Sequence, residues 1–194
     1  MLGLEWGRVK LVLYDSDWPK LFAIEAERLS KALKINIHDI QHVGSTAIPH
    51  MIAKPVLDIA IILPTFESGF KLIEPLRAAG YTYMGENGIP NRHFAFRGDP
   101  VTHHVQMFEH GSEEWQNMIC FRNYMIQNPE LAAQYAQLKL ALGQKFPNDR
   151  GSYRIGKIPF IKRMVAIAVE EYRGYAEEVR NKLSWPPHMP ILAH

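Results

Sequence analysis

Apolar positions along this chain recur with two different periods, and the change between them divides it. Phe22, Ala26, Leu29 and Leu33 fall on one stripe at helical spacing, which predicts an amphipathic helix near residues 18–34. Pro19 sits where a first turn tolerates it, and Asp17 just before is the expected cap. Val9 to Tyr14 reads as a short opening strand and Asp39 to Val43 as a strand running into Gly44-Ser45. Pro55 to Leu63 is a near-continuous apolar strand, too hydrophobic for a sheet edge. Phe70, Ile73 and Leu76 begin a second helical stripe that Gly80 stops. Tyr81 to Met84, Arg92 to Arg97 and Thr102 to Phe108 then alternate as strands, with Gly98-Asp99-Pro100 as the turn between the last two. On the last strand, Val105 and Met107 form the face predicted for the core, leaving His104 and Gln106 on a more polar one.

After Gly111 the period is helical throughout. Ser112 caps a helix with Glu113 and Glu114 at its positive dipole end, and Trp115, Met118, Ile119 and Ile126 give its buried face. Asn128-Pro129 opens the next helix, where Leu131, Tyr135, Leu138 and Leu142 continue the pattern. Pro147 to Gly151 reads as a loop before a long helix from about Pro159 to Lys182. The pattern thus predicts a single domain over residues 1–184. It has an α/β (α+β) core over about 8–110, a mixed sheet with helices, followed by a C-terminal helical part over about 111–184. Residues 185–194, rich in proline, are expected to lie as an extended tail.

Composition narrows the classes. The chain has 194 residues, 47% hydrophobic and 22% charged, enough to bury a core without covalent staples. Cys120 is its one cysteine, which excludes an internal disulfide and a four-cysteine zinc site, and its apolar neighbours predict burial. No signal segment and no run of 18 apolar residues is present, so the expectation is a cytoplasmic protein without a membrane partner. The net charge is +2 with dispersed lysines and arginines, which disfavours long nucleic-acid tracks.

Candidate chemistry centres on His42-Val43-Gly44-Ser45-Thr46 and Lys54-Pro55-Val56-Leu57-Asp58. A Gly-Ser turn can face a phosphate with amides and a hydroxyl, and Asp58 places a carboxylate at the mouth of a buried strand. Metal-bridging transfer of nucleotides needs two strand carboxylates at i and i+2, on one face. Here Asp58 is followed at that spacing by Ala60. The structural alternative is a tight turn feeding a core strand, with Asp58 bonded to nearby amides. Lys54, held extended before Pro55, is placed to meet a phosphate near Gly44 and Ser45, or else is a solvated surface lysine. His42 and His104, with the neighbouring histidine, could converge on Asp58 as a zinc or manganese site, although no close-spaced ligand signature supports it. Arg122 is a charge on an apolar helical stripe, which calls for a carboxylate or a ligand phosphate. Tyr153 and Lys157 flank Gly156 and can point at one anion, or simply edge a loop.

Together these segments resemble the GrpB family over about residues 8–170. The marks are His-Val-Gly-Ser-Thr-Ala-Ile-Pro at 42–49, Ala-Lys-Pro-Val-Leu-Asp-Ile at 53–59, Thr-His-His-Val-Gln at 102–106 and Phe-Arg-Asn-Tyr at 121–124. Tyr135 with Leu138-Lys139, and Tyr153 with Lys157 and Phe160-Ile161, complete them. The resemblance implies a nucleotidyltransferase-like fold and a nucleotide- or coenzyme-related pocket. Members similar to this chain occur fused to dephospho-coenzyme A kinase, where the domain is thought to assist folding. The chain departs from the family pattern at His50 (a usual glycine), Gln106 (a usual histidine) and Asn123 (a usual aspartate). Gln106 removes one imidazole from the proposed cluster.

Two classes of function follow. One is a pocket binding a nucleotide or other phosphate-bearing small molecule through His42, Gly44, Ser45, Lys54, His104, Arg122, Tyr153 and Lys157. The other is magnesium-dependent nucleotidyl transfer, with Asp58 as catalytic residue and metal ligand. A folding-accessory or interaction module with a protein partner is a further alternative.

Overall fold

The first apolar stripe folds as helix α1, Trp18–Leu33, which buries Trp18, Ala26, Leu29 and Leu33. The computed structural model describes residues 2–180, and side chains as far as Tyr172. Asp17 precedes α1 without making a side-chain cap; its own N–H is taken by Asp15 Oδ1 at 3.0 Å. At the other end Lys34 turns left-handed, and its N–H closes on the Ser30 carbonyl.

Five strands form one mixed sheet: β1 (Ile40–Val43), β2 (Leu57–Leu63), β3 (Thr82–Tyr83), β4 (Arg92–Arg97) and β5 (His103–Glu109). Their order is β1-β2-β5-β4-β3, with β2 and β5 parallel and the other neighbours antiparallel. β2 is interior, as its continuous apolar run requires. Between β2 and β3, a 3-10 turn over Glu67–Leu72 leads into the short helix α2, Ile73–Ala78, and Gly80 reverses the chain at φ +81°. The opening strand expected at Val9 to Tyr14 does not form. Val12 makes a single bridge to Ala53, while the Val9 N–H goes to the Pro147 carbonyl, so the backbone partners are scattered over loops and no ladder can propagate.

One face of the sheet packs Ile59, Ile61, Val105 and Met107 on α1 through Ala26, Leu29 and Leu33. The other is covered by α3 (Glu113–Gln127), α4 (Pro129–Lys145) and α5 (Arg150–Arg180), with Ile119 of α3 seated on Val43 and Ala60. Cys120, Tyr124, Tyr135, Met164 and Ala168 fill the space between these helices. Burial pushes the Cys120 thiol up to about 11, so it is a packing residue.

The structure differs from the pattern most at α5. The helix begins at Arg150 and runs through Pro159, so Tyr153, Gly156 and Lys157 lie on helical turns where a loop was expected. Proline removes one backbone bond and usually marks a first turn, which is why the start was placed nine residues late. The expected end of that helix at Lys182 and the tail at 185–194 lie outside the described residues. No described helix is long and apolar enough to cross a membrane.

A buried ion network ties α1 to the β4–β5 hairpin. Glu25 accepts from Arg28 at 2.6 Å, from Arg97 Nη2 at 2.8 Å and from the Tyr81 hydroxyl at 2.7 Å. Burial works against its charge, but these donors outweigh it and hold the carboxyl below its usual range. Glu25→Ala leaves both guanidinium groups without their acid and is expected to cost about 3 kcal/mol in chemical denaturation. A loss under about 0.5 kcal/mol would mean that solvent replaces the carboxylate. Because the folded carboxyl titrates lower than the unfolded one, the network stabilises above the unfolded pKa. Its contribution is lost as pH falls through the folded value.

Candidate functional site

Register decides which predicted residues meet. Val43 pairs with Asp58, and Asp58 with His104, so these three side chains emerge on the helix-covered face of the sheet. At the end of β1, Gly44 adopts φ +71° and ψ −170°, and a Cβ there would lie 2.5 Å from Asp58 Oδ2. Glycine is required for backbone and acid to approach this closely. The chain then turns through a 3-10 segment, Ser45–Ala47, and returns to Lys54, whose carbonyl accepts the Val56 N–H across Pro55.

These segments and the three helices enclose a cavity of about 280 Å³. Gly44, Ser45, Lys54, Asp58 and Gln106 line its sheet side; Lys139 enters from α4, and Tyr153 and Lys157 from α5. Tyr153 and Lys157 are one turn apart, and the ammonium stands 4.6 Å from the tyrosine ring centre. Lys139 is 1% exposed, donates to the Ile52 carbonyl and lies 4.8 Å above the Tyr135 ring.

The charges around the cavity are unequal. Burial lowers Lys54 to about 8, with Arg150 adding repulsion, and lowers Lys157 to about 8, with Lys54 adding to it. Burial also brings Lys139 down to about 6, helped by Lys157. One acid opposes them. Burial would raise Asp58, but the His104 hydrogen bond and the charges of Lys54 and Lys157 outweigh that and keep its carboxyl below the usual range. His104 Nδ1 donates to Asp58 Oδ1 at 2.9 Å, and its Nε2 faces Arg150 Nη2 at 3.5 Å. Arg150 lies over the Trp6 ring at 5.1 Å, so this pair backs the acid from a recess beside the main cavity.

Two predicted residues go elsewhere. His42 neighbours Val43 on β1 and therefore points to the opposite face, where it stacks on Phe22 at 4.7 Å and bonds to Thr46 Oγ1 at 2.9 Å. Burial drops its pKa to about 4, which leaves the ring neutral. Among the described residues Arg122 meets backbone and amide oxygens where a carboxylate was one expected partner. It donates to the His42 carbonyl at 2.7 Å, to Gln41 Oε1 at 3.3 Å and to Asn123 Oδ1 at 2.9 Å, and so fastens α3 to β1. His103 turns to Arg97 and Thr102 on the α1 face. The histidines therefore do not converge on Asp58, and among the described residues no group of three histidines, cysteines or acids could hold a metal ion.

Sequence reasoning passed over Lys139 and Arg150 as site residues. Lys139 had left a signal: it stands four residues after Tyr135 on the apolar stripe of α4, a charge as out of pattern as Arg122. Arg150 left none, because the start of α5 read as a loop.

Sheet, turn and helices define a single-acid, multi-lysine pocket on a mixed α/β fold. The model of the family described as GrpB protein matches residues 8–166, and the chain belongs to that family. It is 38% identical to UPF0157 protein YqkA of Bacillus subtilis over 80% of this chain, and spans 46% of that relative's length. It is 33% identical to glutamate-rich protein GrpB of Alkalihalophilus pseudofirmus, over 85% of this chain and 98% of the relative. The crystal structure of conserved protein GrpB from Enterococcus faecalis superposes with a TM-score of 0.78 at 33% identity, covering 84% of this chain and 99% of that one. A dephospho-CoA kinase of Mycolicibacterium paratuberculosis is 27% identical over 79% of this chain, which spans 44% of the kinase. Cid1 poly(U) polymerase aligns with a TM-score of 0.43 at 11% identity, covering 74% of this chain and 50% of that one, a likeness on which nothing is built.

Proposed function

We propose that this cavity binds a phosphate-bearing small molecule, a nucleotide or a smaller organic phosphate, and that ammonium groups rather than metal ions neutralise it. The observation that carries this reading is the convergence of Lys54 and Lys157, both mainly charged at pH 7, on one cavity whose lining holds the single carboxylate of Asp58; Lys139, lowered to about 6 and bonded to the Ile52 carbonyl, stands beside them mainly as the neutral amine. Buried ammonium groups in excess of acids are stabilised by an anion, and each gains charge-assisted hydrogen bonds from it.

The donor set does not fit a resident pair of magnesium ions. Magnesium takes oxygen ligands, usually one or two carboxylates with waters and substrate oxygens. The position that would carry the second acid is Ala60, fully buried beneath Ile119, and its cross-strand partner is Gln106, whose Oε1 already accepts from Arg92 at 2.8 Å. Asp58 itself has one oxygen bonded to His104.

Asp58→Asn separates this reading from magnesium-dependent transfer. With the acid neutralised, the lysines face the ligand unopposed, so affinity for pyrophosphate measured by calorimetry in EDTA is expected to be kept or to rise by about tenfold. The transferase reading requires the reverse: magnesium-dependent consumption of a nucleoside triphosphate that the same substitution abolishes. Nucleotides and coenzyme A precursors belong in one thermal-shift screen, since a bound ligand raises stability by mass action. Failure of every anion to bind the native protein at millimolar concentration would overturn the binding reading and leave the interaction module.

A further inference from the structure

The cavity lining is of two chemical kinds. Lys54 and Asp58 on the sheet side and Lys157 of α5 carry charge, while Met118 and Phe121 of α3 and Ile161 and Val165 of α5 form an apolar wall, with Lys157, Ile161 and Val165 following one another at four-residue spacing along α5. The four wall residues are partly exposed although they adjoin well-buried neighbours such as Ile119 and Met164, so the apolar surface is open to whatever enters the cavity. Spacing explains the wall. Met118 and Phe121 are three residues apart, and Ile161 and Val165 four, so each pair projects from one face of its helix, and the two helices pack side by side. Tyr135 closes the same side, its ring stacked on Phe160 and edge-on to Phe121.

A free inorganic phosphate would satisfy the lysines and leave this wall wet. A nucleobase would need hydrogen-bonding partners for its edges, and of the helix-borne residues along this wall only Asn117 adds an amide. The volume of about 280 Å³ also lies just below the usual span of small-molecule sites, about 300 to 1,000 Å³, which favours a compact ligand.

Resting on the phosphate-binding reading above, we infer that the ligand is a compact amphipathic organic phosphate: an anionic head held by Lys54 and Lys157, and an apolar carbon portion laid against Met118, Phe121, Ile161 and Val165. The head loses its hydration to the ammonium groups, and the carbon portion is removed from water by the helix wall. Lys157 stands one turn before Ile161 on α5, so a head held by its ammonium brings the carbon portion directly onto the wall.

The test is calorimetric titration of the native protein, in EDTA at low salt, with inorganic phosphate, then methyl, propyl and pentyl phosphate, and adenosine monophosphate. Affinity is expected to rise about fourfold for each methylene buried against the wall. In a protein carrying Met118→Ser and Phe121→Asn, the slope of affinity against chain length is expected to flatten to less than twofold per methylene. The slope is the readout, so a change in absolute affinity does not obscure it, and the native series stands alone should the double variant fail to fold. Equal binding of phosphate and all alkyl phosphates would overturn this inference and leave the phosphate reading standing. Tighter binding of adenosine monophosphate than of any alkyl phosphate would overturn it in favour of nucleoside recognition. Binding of none of them would overturn both readings.

Discussion

Replacing Lys54 and Lys157 together by methionine is expected to reduce affinity for anions by about a hundredfold or more, since hydrogen bonds to charged groups contribute about 1.5–3 kcal/mol each. Methionine keeps much of the apolar stem, so the fold should survive and the loss should report the charges. Both ammonium groups titrate near pH 8, because burial disfavours their charged form, with repulsion from Arg150 added at Lys54 and from Lys54 at Lys157. They are charged below that pH and neutral above it, so anion affinity is expected to hold at pH 7 and to fall between pH 8 and 9.5. Sulfate is the probe for this titration, because its own charge does not change over the range. The stability of the unliganded protein should move the other way. The unfolded state binds more protons than the folded one wherever a lysine is depressed, so stability rises from pH 7 to 9 as sulfate affinity falls. A flat sulfate affinity across that window, or an unchanged affinity in the double variant, would remove the two lysines from the site.

Gly44→Ala is expected to be the most damaging single substitution at the site. The backbone at φ +71° and ψ −170° is one that side-chain-bearing residues rarely adopt, at a cost of about 1–3 kcal/mol. The new methyl would also sit 2.5 Å from Asp58 Oδ2, in a place the carboxylate cannot leave without breaking its bond to His104. Together these predict a loss of about 3 kcal/mol, which for a chain of this size lowers the melting temperature by roughly 10 °C. The part of that loss due to the carboxylate is recoverable, since Asp58→Ala leaves only the Cβ at 3.0 Å from the new methyl. Combining Gly44→Ala with Asp58→Ala should be less destabilising than the sum of the two, and strictly additive losses would show that the turn and the acid are not coupled.

Much of this was legible along the chain. The period-2 and helical stripes located α1, β1, β4, β5, α3 and α4, because the side-chain repeat records a buried face, and a continuous apolar run located the interior β2; in α3 the buried residues are Ile119, Cys120, Asn123, Tyr124 and Met125, while Ile126, expected among them, is exposed. Gly44, Ser45, Lys54 and Asp58 stood out as neighbours in sequence, and they remain neighbours in space because one turn and one short loop join them. The start of α5 was hidden by Pro159, whose usual place at a first turn masked a helix already two turns long. The Val9 to Tyr14 segment has strand-like residues but no adjacent strand to pair with, and composition cannot register a missing partner.

What the sequence by itself determined is the order of most elements, the Gly44-Ser45 turn, the solitary acid beside it and the family. Only the tertiary structure decided which cations face that acid. Strand register sent His42 to the far side of the sheet; helix docking tied Arg122 to the β1 backbone, brought Lys139 and Lys157 from two helices to the cavity, and set Arg150 behind His104 in the recess beside it. A side chain's face is local information, fixed by the repeat of its own element. Which faces meet depends on how distant elements pack, and that is why Asp58, Lys54 and Lys157 were named from the chain while Lys139 beside them and Arg150 behind the acid were not.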